Sequence, residues 1–144
     1  MIEERIKEIK EELNAFDDEL MKYSFLVELS AYVDPDQPEL MTEENRYHGC
    51  QSQVWVHYRI ENGQFFMNAT SDTLIIRGVL YVMMELYNGL TPEEISDHPI
   101  DFLAACGISQ HFTGARVSGI RGISDSVFRF CSESSGTTGC LRTP

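Results

Sequence analysis

The pattern of apolar and polar positions changes period along the chain, and each change predicts an element. Ile2, Ile6, Ile9, Leu13, Phe16 and Leu20 recur at alternating spacings of four and three. This is one apolar stripe, and it predicts an amphipathic helix over residues 2–20 that packs on a core rather than forming a coiled coil. Asp17 and Asp18 can cap a second helix reaching about Tyr32, which Asp34-Pro35-Asp36-Gln37-Pro38 then stops. Residues 34–46 form an acidic loop. From Gln53 to Ile60 the period becomes two, with Val54, Val56, Tyr58 and Ile60 on one face and Trp55, His57 and Arg59 on the other. Asn62-Gly63 is a hairpin turn signal, because a type I′ turn needs φ > 0 at both central residues. Gln64 to Thr70 is the returning strand.

A nearly all-apolar helix is predicted over 73–88, capped by Ser71 or Asp72 and ended by Gly89. Gly78 in its middle costs about 1 kcal/mol of helix propensity against alanine, which suggests close approach of another backbone. Thr91-Pro92-Glu93-Glu94 predicts a helix start with a capping box, and another helix runs from near Pro99 to Gly107. Val117, Ile120, Ile123 and Val127 stripe a last helix that Gly114, Gly119 and Gly122 weaken. The Ser, Gly and Thr that follow cannot build a core, so the expected domain is residues 1–130 and residues 131–144 are expected to be a disordered tail. The fold class is α+β: a small antiparallel sheet on the 53–70 hairpin, packed against helices.

At 144 residues the chain suits one domain with a real core. The charged first 22 residues offer no secretory signal, and no apolar run approaches the ~20 residues of a membrane span. Net charge is −12, of which residues 1–45, with 14 acids and 4 bases, hold −10. Such acidity opposes nucleic-acid binding, favours solubility, and can steer a basic partner. Cys50, Cys106, Cys131 and Cys140 match no zinc or C-x-x-C spacing. A reducing cytoplasm with free thiols is expected. Cys106 is expected to be buried packing, and Cys131 and Cys140 to be incidental thiols of the tail.

Cys50 stands apart. A free cysteine is usually a small buried hydrophobe. Here Gly49 precedes it and Gln51, Ser52 and Gln53 follow, on a turn that runs into a strand. Glycine lets the backbone take φ > 0 or pass close to a partner. A cysteine on a loop beside a rigid strand can be both exposed and positioned, the conditions for a reactive thiolate.

Gly49-Cys50-Gln51-Ser52-Gln53-Val54-Trp55 resembles the motif of the SufE family of sulfur acceptors. Further matches follow in order: Ser71-Asp72, Arg77-Gly78, Leu90-Thr91-Pro92, and Gln110-His111-Phe112-Thr113 with Arg116 and Gly119. Gly114 departs from the family's usual proline, and the end of the chain from its usual helical end. The resemblance covers roughly residues 15–123. It implies a SufE/IscU-like fold and a carrier that takes persulfide sulfur from a pyridoxal-phosphate cysteine desulfurase (SufS-like). The carrier passes that sulfur on to a downstream iron–sulfur scaffold for cluster assembly, stimulates the desulfurase, and needs no cofactor or metal of its own. It also implies a reactive cysteine that tucks into an apolar cavity, lined by such residues as Tyr47, Trp55 and the 73–88 helix, and swings out to its partner.

Cys50 is then the nucleophile. An unperturbed thiol, pKa about 8.5, is only slightly ionised at neutral pH, so neighbouring donors matter. Gly49 (through the turn's backbone N–H groups), Gln51, Ser52 and His48 are candidates for support. His48 is either a base or a solvated surface histidine. Asp72 is expected to cap its helix. Arg116 is either a desulfurase contact or one half of a surface ion pair with an acid such as Asp125. Three rivals stay open: an iron–sulfur scaffold, although a cluster normally needs several cysteines; a cysteine hydrolase pairing Cys50 with His48, His57 or His111; and a binding domain with an inert cysteine.

Overall fold

The computed structural model describes residues 1–105, 115–134 and 141–142. Its centre is strand β2 (Val54–Glu61), which pairs antiparallel with β1 (Arg46–Tyr47), β3 (Gln64–Ser71) and β4 (Leu141–Arg142). β3 lies on one side of β2, and the order β1-β2-β3 is extended by β4 on β2. Six described α-helices complete the α+β fold: α1 (Ile2–Asn14), α2 (Glu19–Leu29), α3 (Leu74–Tyr87), α4 (Pro92–Ser96), α5 (Phe102–Ala105) and α6 (Ala115–Ser134).

The β2–β3 hairpin follows its sequence. Asn62 and Gly63 take φ of 54° and 76°, the left-handed pair of a type I′ turn, and the register runs unbroken from Glu61↔Gln64 to Val54↔Ser71. Val54, Val56, Tyr58 and Ile60 join Phe65, Met67 and Ala69 in the core, beneath α3 and α6. The Tyr58, Phe65 and Phe130 rings meet with centroid distances of 5.4–5.8 Å, Tyr58 tilted against both phenylalanines and these two edge-on. Two buried tyrosine hydroxyls find buried serines of α6, Tyr58 with Ser126 at 2.8 Å and Tyr87 with Ser124 at 3.3 Å. Burial pushes the Tyr58 phenol well above its ordinary range.

Alternation fails at the start of β2, where Trp55 is buried along with Val54 and Val56. The acidic loop is the cause: it folds back on the sheet instead of only leading to it. Thr70 donates to the Asp34 carbonyl (2.9 Å), Asn68 to Gln37 Oε1 (3.1 Å), and the buried Asn45 amide ties the loop to itself at Leu40 O (3.0 Å). The Arg46 guanidinium lies over the Trp55 ring at 5.8 Å.

Several expectations are corrected. The first helix does not run to Leu20; it ends at Asn14, because Asp18 caps α2 by accepting from Leu20 N at 2.8 Å and its extended backbone breaks the stripe. Half of the capping box at α4 forms, with Thr91 Oγ1 accepting from Glu94 N at 3.1 Å. The Glu94 carboxylate turns instead to Ile2 N (3.0 Å), where it serves the free N–H groups at the start of α1. Among the described residues, helix also passes the expected domain boundary at residue 130. α6 continues to Ser134, and Cys131 is fully buried, one turn after Val127 on the same apolar face. Burial pushes its thiol up to about 12, so Cys131 is a core residue rather than an incidental thiol. Cys106, Cys140 and the Gln110–Gly114 segment lie outside the described residues.

Gly78 does have a packing role. A Cβ there would strike the Leu26 carbonyl, with the carbonyl carbon at 2.8 Å, so α2 and α3 cross backbone to backbone. Gly78→Ala should therefore lose about 1–3 kcal/mol of stability in urea unfolding despite alanine's better helix propensity. A gain in stability would show that the crossing can open at no cost.

Candidate functional site: the Cys50 loop

Pairing of Tyr47 with Val54 closes residues 48–53 into the loop between β1 and β2. Cys50 is at its tip, free and half-buried. The loop does not stand out into solvent; it rests on α6. A Cβ at Gly119 would lie 2.9 Å from Cys50 Sγ, 3.1 Å from its Cβ and 3.3 Å from its Cα. A Cβ at Gly122, one turn on, would strike the Tyr47 hydroxyl. These two glycines, expected to weaken the helix, form the seat of the loop. A helix can lie this close to another backbone only where it presents no side chain.

Gly49 uses the second of its two expected freedoms. Its φ is not positive; instead the Tyr47 ring folds over it so closely that a side chain would collide with the phenol. Tyr47 is therefore wedged between Gly49 and Gly122, beside Cys50. Its phenol is held above the ordinary range, first by burial, then by the negative ends of Cys50 and Asp125, with Arg129 opposing. It stays neutral at physiological pH and can donate or accept a hydrogen bond. Tyr47 is a part of the site that sequence reasoning saw only as possible lining. The signal for its role was the i, i+3 pair Gly119/Gly122, which has meaning only once something is known to cross it.

The loop's exit is held more firmly. Asp72 does not cap α3: its Oδ1 accepts from Gln53 N (3.1 Å), while its own N–H donates to Gln53 O (3.2 Å). Thr73 is the N-cap of α3 and makes no side-chain cap bond. Ser71 Oγ also donates to Gln53 O (2.7 Å), the third bond at this residue, and Arg77 Nη1 donates to Ser71 O (2.8 Å). The Thr73 hydroxyl reaches Asp72 Oδ1 (3.0 Å) and stands 2.9 Å from the Ser52 hydroxyl. The arm of the loop beyond Cys50 is thus clamped to the start of α3.

Gln51 is exposed on the loop. His48 points to Glu43, with Nε2 and Oε1 3.2 Å apart and both side chains mostly exposed, which is the surface-histidine alternative. The backbone of Arg116 lies in the first turn of α6, one turn before Gly119, and so at the Cys50 end of that helix.

Residues 7–130 match the SufE family, described as an Fe–S metabolism associated domain. The match spans most of the chain, and the chain belongs to this family. A solution structure of a hypothetical protein from Thermus thermophilus is similar in fold, with a TM-score of 0.74 at 22% identity over 92% of this chain and 97% of that one. Among the described residues no helix is long and apolar enough to cross a membrane.

Cys50 Sγ is sheltered because Gly119 leaves room for it. Gly119→Ala should push the loop off α6 and raise the rate of Cys50 alkylation by iodoacetamide severalfold, read by peptide mass spectrometry, while Cys131 stays unlabelled in the folded protein. An unchanged Cys50 rate would mean that the seat does not protect it. Asp72→Ala removes the Gln53 N–H acceptor and should also speed alkylation, with a stability loss of about 1 kcal/mol.

Proposed function

We propose that the protein is a sulfur acceptor for a cysteine desulfurase in iron–sulfur cluster assembly. The observation that carries this reading is the placement of Cys50: a free thiol at a loop tip, half-buried on Gly119 of α6, in a chain of the SufE family. The Cys50 thiolate attacks the outer sulfur of the desulfurase persulfide. One S–S bond forms as the other breaks, the partner's thiolate leaves, and the electron count is unchanged. The pyridoxal phosphate that generates the persulfide belongs to the desulfurase, and a downstream scaffold takes the sulfur on.

The seat and the clamp suit the two demands on such a carrier. A persulfide exposed to water is open to oxidants and stray thiols, so a position against α6 protects it. Delivery needs the loop to leave that position. The contact with Gly119 is one of packing, so it can be given up, while the bonds at Gln53 keep the far arm anchored. Tyr47 fills the space beside the sulfur as a neutral phenol, which adds no negative charge next to a persulfide anion.

Incubation with a cysteine desulfurase and L-cysteine should add one sulfur atom to the wild-type intact mass, removable by reductant, and none to Cys50→Ser. Desulfurase turnover should rise with the wild type alone. A wild type that gains no sulfur, or a Cys50→Ser variant that gains as much, would sink the reading.

A further inference from the structure

A second concave surface lies apart from the Cys50 loop. It is a groove of about 580 Å³ between α1, the α2 segment and α3, within the range of clefts that hold ligands (roughly 300–1,000 Å³). Its floor is apolar: Leu13 and Val82 are buried, and the Phe16 and Phe25 rings meet at 5.2 Å. One wall is a pair of stacked tyrosines, Tyr32 and Tyr81, with centroids 5.1 Å apart and planes 25° apart. Tyr32 is 71% exposed, a large aromatic surface left to solvent.

The rim is acidic. Glu8, Glu12 and Glu85 line it, and among the described residues none of them forms an ion pair with a cation. Arg5 also lines the groove, but its guanidinium is committed to the C-terminal carbonyls of α3, Leu86 O at 3.1 Å and Asn88 O at 2.7 Å. Burial first, then Glu85 and Glu12, hold the Tyr81 phenol above its ordinary range. Aromatic faces with carboxylates around them favour a cation whose stem is apolar, as in arginine or lysine. A second copy of this chain is a poor occupant, since its net charge of −12 would bring like charge to an acidic rim.

We propose that this groove docks a basic amphipathic segment of a partner protein, with an arginine or lysine laid across Tyr32 and Tyr81 among the glutamates and its apolar neighbours on Phe16 and Phe25. The inference goes beyond sulfur transfer and does not depend on Cys50.

The probe is a fluorescein-labelled amphipathic peptide with arginines on one face and leucines on the other, titrated with the full chain by anisotropy beside its glutamate-for-arginine counterpart. The arginine peptide should bind saturably, unchanged by Cys50→Ser, and shift the Tyr32 and Tyr81 ring resonances; the glutamate peptide should not bind. Combined Glu8→Gln, Glu12→Gln and Glu85→Gln should weaken binding about tenfold, the sum of three partly exposed charge pairs. Tyr32→Ala, at an exposed site that leaves the fold intact, should weaken it as well. Glu39→Gln, Glu43→Gln and Glu44→Gln together, which remove the same charge from the loop, should change binding less than about threefold. Equal losses in the two triple variants, or binding that leaves both tyrosine resonances unmoved, would reduce the effect to general acidity and overturn the proposal. Concentration-dependent self-association abolished by Tyr32→Ala would overturn it in favour of a second copy.

Discussion

The ladder of β2 is the constraint on which the rest of this structure depends. All three other described strands pair with it, so its register sets where each neighbouring segment enters and leaves. The β2–β3 register brings Ser71 beside Val54, which puts Asp72 and the start of α3 against Gln53. The β1–β2 register brings Tyr47 beside Val54 from the other side, which closes the Cys50 loop. A slip of one residue would turn Val54, Val56 and Tyr58 out of the core and carry the loop away from α6. The position of the Cys50 sulfur thus follows from hydrophobic pairing many residues away.

Around that loop the protein combines firm and yielding contacts. Hydrogen bonds at Gln53 hold one arm to α3. Packing on Gly119 holds the tip, and packing of Tyr47 on Gly122 holds the other arm. Directional bonds resist displacement, whereas a small contact patch against bare helix backbone costs little to leave. The proposed carrier, which would both guard a sulfur and surrender it, needs this division, and Cys50 sits at the junction of the two kinds of contact.

The same use of small residues recurs in the core. Gly78 admits α2 to α3, and Ser124 and Ser126 give hydrogen-bond partners to two buried tyrosine hydroxyls. Cys131 fills the last apolar position of α6 as an ordinary hydrophobe. Of the two described cysteines, one lies half-buried on a loop, where the proposed function puts the chemistry, and the other is packing. Their environments decide which: a loop tip on glycine for Cys50, and the interior beside Val127 and Phe130 for Cys131.

Sequence alone determined those features whose cause is local. The period-two run of β2, the Asn62-Gly63 turn, the apolar helix α3, the Thr91 cap and the polar setting of Cys50 all follow from neighbours within a few residues, so they were legible in advance. Their physics, backbone sterics and one-sided burial, acts over the same short range. Tertiary structure alone decided what lies across from each residue. Asp72 offered a capping pattern and became a clamp, because β3 placed it beside Gln53. Gly119 and Gly122 looked like flaws in a helix until the Cys50 loop was laid over them. Cys131 looked like part of a tail, since the polar residues around it hid the one face that α6 buries against the sheet. A side chain's partner across the fold depends on chain crossings between segments distant in sequence, and no window along the sequence contains both.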